Sequence, residues 1–249
     1  MPDKPARTAR FHVDAALRAG STVLLPEDAA HHAVHVLRLR PGDEAVLFNG
    51  RGGEYSGRLA AVDRLRVSVD LLEHRAIERE SPLAVTLVQG VSSGEKMDFT
   101  VQKATELGVA ALQPVVATRS TGRLSGERAE LKRAHWRRVA IAACEQCGRN
   151  RVPEVRPVLS LAEFCRQAGA EGARLLLSPQ SRLALREAAG RLNGSVALAA
   201  GPEAGFEAAE EAALVEAGFT PVRLGPRVLR TETAALAALA ALNALAGDF

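Results

Sequence analysis

The apolar positions change their period once along the chain. Between Ser21 and Leu72 they fall in short runs, STVLL, EAVLF, EYSGRLAAV and RLRVSVDLL, separated by Pro-Gly, Asn-Gly and Gly-Gly turn signals. Short β-prone runs at that spacing predict a small β-barrel. The polar stretch EHRAIERESP, ending at Pro82, reads as a linker. After it, strand-like and helix-like segments alternate. AVTLVQGV reads as a buried strand, MDFTVQKATELG as a helix closed by Gly108, and VAALQPVVA as a second strand. ERAELKRAHWRRVAIAACEQCG gives a longer helix, and ARLLLS, SVALAA and TPVRL give three further strands. Such alternation builds an α/β domain with a parallel sheet and helical crossovers. The expected division is a barrel over 1–74, a linker over about 75–81 and an α/β domain over 82–249.

The last apolar stretch, LGPRVLRTETAALAALAAL from Leu224 to Leu242, poses a problem of charge. Its Ala/Leu pattern predicts a helix meant for burial, yet two arginines precede it. Thr231 or Thr233 can cap the helix, and Glu232 suits the positive end of its dipole. Arg227 and Arg230 fit neither role, because a cation near a helix N-terminus calls for an anion or a buried partner.

Composition narrows the setting. A 249-residue chain with 47% apolar residues can bury a core without staples. Three cysteines, Cys144, Cys147 and Cys165, do not form a secreted disulfide framework. The N-terminus is broken by charges where a signal peptide needs an apolar core, and the run near Ala234 to Ala246 is too short to span a bilayer. The expectation is a soluble, cytoplasmic protein. A net charge of +3 does not by itself indicate nucleic acid. The distribution says more: from Arg119 to Arg156 ten basic residues, Arg123 among them, face four acids, a candidate phosphate-facing stripe or a solvated helix face.

Two clusters resemble metal or redox motifs. Cys144 and Cys147 form a CxxC inside a helix, without the further ligands zinc needs or the strand-to-helix setting of a thioredoxin pair, so packing is favoured. His31, His32 and His35 in HHAVHVLRLR put two imidazoles a helical turn apart, without a third ligand nearby. No metal is expected.

Two loops carry the functional reading. SVALAAGPEAGFEAAEEAALVEAG sets Gly201, Pro202, Glu203 and Gly205 between a strand and a helix. TPVRL then runs into LGPRVLRTETA. Glycine-containing loops at the carboxyl ends of neighbouring strands favour a small-molecule crevice, and neither loop is a dinucleotide fingerprint or a P-loop.

These loops resemble the cofactor-binding signature of the bacterial 16S ribosomal RNA uridine-N3 methyltransferases, the RsmE family of the SPOUT class. The resemblance extends through RFHV at Arg10, HHAVHVLRLRPGDEAVLFNG at His31, GEKMDFTVQKATELGV at Gly94, RST at Arg119 and ACEQCGRNRVPEV at Ala143. Ala204 departs from it, since the family usually has a second glycine there. The resemblance implies a PUA-like N-terminal barrel, a SPOUT-type parallel sheet with a C-terminal trefoil knot, a homodimer, and S-adenosylmethionine as methyl donor. It places the cofactor against Leu177, Ser178, Ala200, Gly201, Pro202, Glu203, Gly205, Leu224, Gly225, Arg227, Val228, Leu229 and Thr231. Methylating uracil N3 requires removal of a weakly acidic imide proton and stabilisation of the charge left on O2 and O4. Arg230 is the first candidate stabiliser, with Arg10 and Arg38 as contributors from the barrel side, and Glu232 or Glu203 as proton acceptor. His32, Arg38, Arg119, Gln146, Arg149 and Arg151 would contact 16S rRNA. Ribose 2′-O or guanine N1 methylation, and RNA binding without catalysis, remain alternatives.

Overall fold

A computed structural model describes residues 8–63, 66–120, 124–167, 169, 172–190, 192 and 194–249. Arg123 and Thr121 of the basic and RST segments lie outside these residues. The chain divides into two compact units, Met1–Glu80 with Cys144–Val152, and Ser81–Ala143 with Pro153–Phe249.

The first unit is a five-stranded sheet built from β1 (Ala9–His12), β2 (Thr22–Leu24), β3 (Glu44–Phe48), β4 (Glu54–Asp63) and β5 (Arg66–Arg75), in the order β1-β3-β4-β5-β2. The β1–β3 pair is parallel and the other pairs are antiparallel. In β5 the period-two pattern buries Val67, Val69 and Leu71 on one face, against Phe11, Leu47 and Leu59. A short helix α1 (Glu27–His31) runs into a π-helical turn over His32–Val36, and Arg38 follows with φ of 56°. Sequence reading placed strands in this region but missed β1 and the π-turn. Ile77, Arg79 and Glu80, in the stretch read as a linker, bond to the 144–152 segment that groups with the first unit.

The second unit is the α/β domain. Its strands are β6 (Ala84–Gly90), β7 (Ala111–Val116), β8 (Glu154–Val155), β9 (Leu159–Ser160), β10 (Ala173–Leu177), β11 (Ser195–Ala200) and β12 (Thr220–Val222). They run in the order β12-β10-β11-β6-β7-β8, with β9 also on β7, and every recorded pairing is parallel. Central β6 is buried almost continuously, as expected of a strand covered on both faces.

Seven helices are described in all; after α1 they are α2 (Gly94–Glu106), α3 (Gly126–Cys147), α4 (Leu161–Gln167), α5 (Leu185–Ala189), α6 (Ala208–Glu216) and α7 (Thr231–Ala246). On α2 the buried positions are 97, 100, 101, 104 and 105, and on α7 they are 235, 238, 239, 242 and 243, the same i, i+3, i+4, i+7, i+8 stripe. The two helices pack on each other, and α7 also contacts β6 and β11. The fifth buried α7 position is Asn243, whose amide donates to Leu107 O at 2.6 Å and accepts from Ser81 Oγ at 2.9 Å. No described helix is long and apolar enough to cross a membrane.

Candidate active site

All strands of the second sheet point the same way, so β6, β10, β11 and β12 end along one edge. At that edge the segments 178–180, 201–206 and 223–231 enclose a cavity of about 340 Å³. All thirteen residues expected to hold the cofactor line it: Leu177, Ser178, Ala200, Gly201, Pro202, Glu203, Gly205, Leu224, Gly225, Arg227, Val228, Leu229 and Thr231. Pro179, Gln180, Ala204, Phe206, Glu211, Val222, Arg223 and Ala234 also line it and were not anticipated. Glu211 carried no sequence signal, since it stands among four glutamates of one helical stretch; its carboxylate accepts from Ser178 Oγ at 3.2 Å.

The first loop is a tight turn in which Gly205 N–H donates to Pro202 O at 2.9 Å, and Gly205 has φ of 72°. Ala204 precedes it outside the left-handed region, so its methyl group fits without strain. Glu203 lines the cavity but has partners within the protein. Its carboxylate accepts from Ser93 N–H at 2.8 Å, at the start of α2, and lies 3.5 Å from Lys96 Nζ. Burial alone would raise its pKa, but the bonds from Ser93 and the charge of Lys96 prevail and hold it below the usual carboxylate value. A carboxylate so engaged is a weaker proton acceptor than a free one.

The second loop ends at the N-terminus of α7. Arg230 occupies the N-cap position without a side-chain capping bond, and neither threonine provides one. Thr231 instead donates its hydroxyl to Gly201 O at 2.5 Å, tying the second loop to the first. The expected threonine cap is therefore replaced by a loop-to-loop bond. Arg227 and Arg230 are exposed, and neither has a side-chain partner among the described residues. Arg230 and Glu232 flank Thr231 but do not line the cavity; Glu232 keeps one carboxylate oxygen buried and without a hydrogen-bond partner.

Arg10 does not have a free guanidinium for catalysis. In the first unit it bonds Glu54 and Asn150 Oδ1, each at 2.6 Å, donates to Arg149 O at 3.3 Å and lies over the Phe48 ring. Burial works to raise the pKa of Glu54, but its bonds with Arg10, Asn150 and Arg79 outweigh it and keep it ionised. Arg10 is thus a clasp that holds the 144–152 segment. Arg149 likewise differs from the expected phosphate contact. It is 4% exposed and paired through two nitrogens with Glu80. Burial pushes the nearby Cys144 thiol up to about 12, and Cys144 donates to Arg151 O at 3.5 Å, a packing role for the CxxC.

The remaining RNA candidates stay at the surface. His32, Arg38 and Gln146 are exposed, and Arg151 is half exposed beside Glu78. Arg119 bonds Glu207 at 3.2 Å and donates to Ala204 O at 3.4 Å, so it braces the first loop.

Comparison with known proteins gives this geometry a family. A model of an RNA methyltransferase domain matches residues 79–243, and one of an RNA methyltransferase PUA domain matches residues 25–72. The ribosomal RNA small subunit methyltransferase E of Mycobacterium tuberculosis is 36% identical over 94% of this chain and 91% of its own. The chain belongs to the ribosomal RNA small subunit methyltransferase E family. A solved member of the family from Neisseria gonorrhoeae, bound to S-adenosyl methionine, is 42% identical with a TM-score of 0.91, covering 98% of this chain and all of its own. A methyltransferase from Legionella pneumophila, in complex with S-adenosylmethionine, is 38% identical with a TM-score of 0.93 over the same shares. The parallel α/β sheet lies within the segment matched by the methyltransferase model, and most of the first sheet within that matched by the PUA model.

Proposed function

We propose that this chain uses S-adenosylmethionine to methylate N3 of a specific uridine in 16S rRNA. The observation that carries the reading is the cavity at the carboxyl edge of the sheet, with Arg230 and a buried Glu232 oxygen, both without side-chain partners among the described residues, at the adjoining helix N-terminus. The residues suit the cofactor. Leu177, Val222, Leu224 and Leu229 give apolar walls for a purine, and 340 Å³ is within the size range of small-molecule sites. The irregular backbone from Leu224 to Leu229 offers N–H and C=O groups in place of an acidic ribose clamp. S-adenosylmethionine, when bound, supplies an electrophilic methyl group on a sulfonium centre.

The protein's part is to make N3 nucleophilic and to aim it. Neutral N3 is a poor nucleophile, so its proton must leave before or during transfer. Glu232 takes that proton on turning its carboxylate, which lies outside the cavity lining and has one buried oxygen unpartnered among the described residues, toward the bound base; Glu203 is committed to Ser93 and Lys96. Arg230 faces the negative charge that develops on O2 and O4, assisted by the positive end of α7. The base, paired or stacked in folded RNA, is extruded to reach the site. Exposed His32, Arg38 and Arg151 hold phosphates of the surrounding RNA. The same reading makes the chain a cytoplasmic homodimer and threads its last segment into a trefoil knot; the return of α7 from edge strand β12 to β11 and β6 supports the latter.

The experiment is to incubate the protein with labelled S-adenosylmethionine and small ribosomal subunits from a strain lacking the modification, then to identify the labelled nucleoside. N3-methyluridine is expected. A 2′-O-methylated ribose or N1-methylguanine would move the target atom, and bound cofactor without label would remove 16S rRNA as substrate.

A further inference from the structure

The carboxyl end of β6 carries a buried amide that the proposed chemistry does not use. Gln89 is 1% exposed and lies across the ladder from Ala200, the last residue of β11. Its Nε2 is 3.1 Å from Thr231 Oγ1, 3.1 Å from Gly90 O and 3.3 Å from Gly201 O. All three neighbours are oxygens, and two are carbonyls that can only accept. The amide therefore has one orientation, because turning it over would set Oε1 against two carbonyl oxygens. In that orientation Oε1 is buried and has no hydrogen-bond partner among the described residues. A buried acceptor left unpaired is a cost, so the side chain is retained for what its nitrogen holds.

That nitrogen holds the spacing of two loops. Gly201 opens the first loop and Thr231 closes the second, and both line the cavity. The Gly201 carbonyl receives the Thr231 hydroxyl as well as the Gln89 amide, so the three groups form one knot of bonds beneath the cavity floor. Gly90 makes the approach feasible. A Cβ there would lie 2.5 Å from Pro202 N, which shows how closely the strand end and the first loop meet.

We propose that Gln89 is a positioning residue that fixes the separation of the two loops through Nε2, and so sets cofactor affinity without touching the cofactor. The inference rests on the cavity being the S-adenosylmethionine site, and its test has a part that does not need the cofactor. In the free protein, Gln89→Leu is expected to speed amide hydrogen exchange at Gly205 and Ala234 at least tenfold, with Leu87 and Leu198 in the sheet unchanged. Unchanged rates at Gly205 and Ala234 overturn the proposal.

Calorimetric titration with S-adenosylmethionine supplies the second part, read as the ratio to the natural chain at each pH. Gln89→Glu is expected to bind about tenfold more weakly at pH 8, where a carboxylate faces two carbonyl oxygens. At pH 5 it recovers to within about threefold, because burial keeps the acid protonated and its O–H donates again. One polypeptide compared at two pH values separates this effect from misfolding. A variant as weak at pH 5 as at pH 8, or as tight as the natural chain at pH 8, overturns the proposal. If the natural chain itself binds no cofactor, the functional reading falls and the exchange rates alone decide the role of Gln89.

Discussion

Arg230 and Glu203 stand beside the same cavity and use their charges in opposite ways. Glu203 places its charge inside the protein, on the Ser93 amide and Lys96, while Arg230 is exposed with no side-chain partner among the described residues; the proposed function gives it the substrate's charge. Replacing Arg230 with alanine should lower kcat about 10²-fold and leave the dissociation constant of S-adenosylmethionine within about threefold. Single-turnover rates and calorimetry check this; equal losses in both would make Arg230 a cofactor ligand. Glu203 predicts a pH dependence. Its folded-state pKa lies below 4.5, so its stabilising contribution is complete above that value and disappears as pH falls through the lower folded value. Melting curves of the natural chain and Glu203→Gln should therefore differ at pH 7, begin to converge as pH falls below about 4.5, the ordinary carboxylate value, and meet below the lower folded value. A difference that persists into acid would mean that the Glu203 charge does not anchor the loop.

The elements that shape the site are a four-residue turn and the first turn of α7. In the Pro202–Gly205 turn, Ala204 has a conformation that any residue adopts, so the glycine usual in the family is not required for its shape. Ala204→Gly should leave cofactor affinity within about twofold and lower stability by about 0.5 kcal/mol, because glycine gives the unfolded chain more freedom. Urea titration measures the second effect; a large gain in affinity would show that the alanine strains the loop. The periodic elements were legible beforehand. The apolar stripes of α2 and α7 and the continuous runs of β6, β10 and β11 appear in the structure because burial on one or both faces writes its period into the sequence. The short β8, β9, α4 and α5 and the π-turn after α1 were missed, since two to seven residues are too few to show a period. Arg230 at the N-cap was missed for a related reason: local preference favoured a threonine, and the bond to Gly201 kept Thr231 elsewhere.

At the scale of the whole molecule, the basic run from Arg119 to Arg156 is not uniform: Arg128, Lys132, Arg137 and Arg138 of α3 are exposed, whereas others meet acidic partners. Arg149 is a buried partner of Glu80, Arg119 braces the loop at Ala204, and Arg151 remains half exposed. Arg149→Ala should cost about 3 kcal/mol of stability by leaving the Glu80 charge uncompensated. It should leave the salt slope of RNA binding unchanged, whereas Arg151→Ala should reduce that slope by about one. Denaturant titration and binding isotherms at several salt concentrations distinguish the two; a reduced slope for Arg149→Ala would return it to the RNA surface. Sedimentation tests the homodimer, with twice 26.4 kDa expected.

Sequence alone determined most of the order of the long elements and the two loops that meet at the sheet edge; the thirteen residues named for the cofactor came from the family resemblance, and they are among those that line the cavity. The parallel alternation of strands and helices forces strand ends to one side, and short loops cannot carry their residues far from there. The tertiary structure alone decided which charges are free. Whether Arg10, Arg149 or Glu203 faces a ligand depends on partners 44, 69 and 110 residues away, Glu54, Glu80 and Ser93. It also decided the position of Gln89, which in the sequence is one polar residue at the end of an apolar run and in the fold is bonded to groups 112 and 142 residues distant. Periodicity records which face of an element is buried; it does not record which distant side chain meets a given charge, because that pairing forms only when the elements pack.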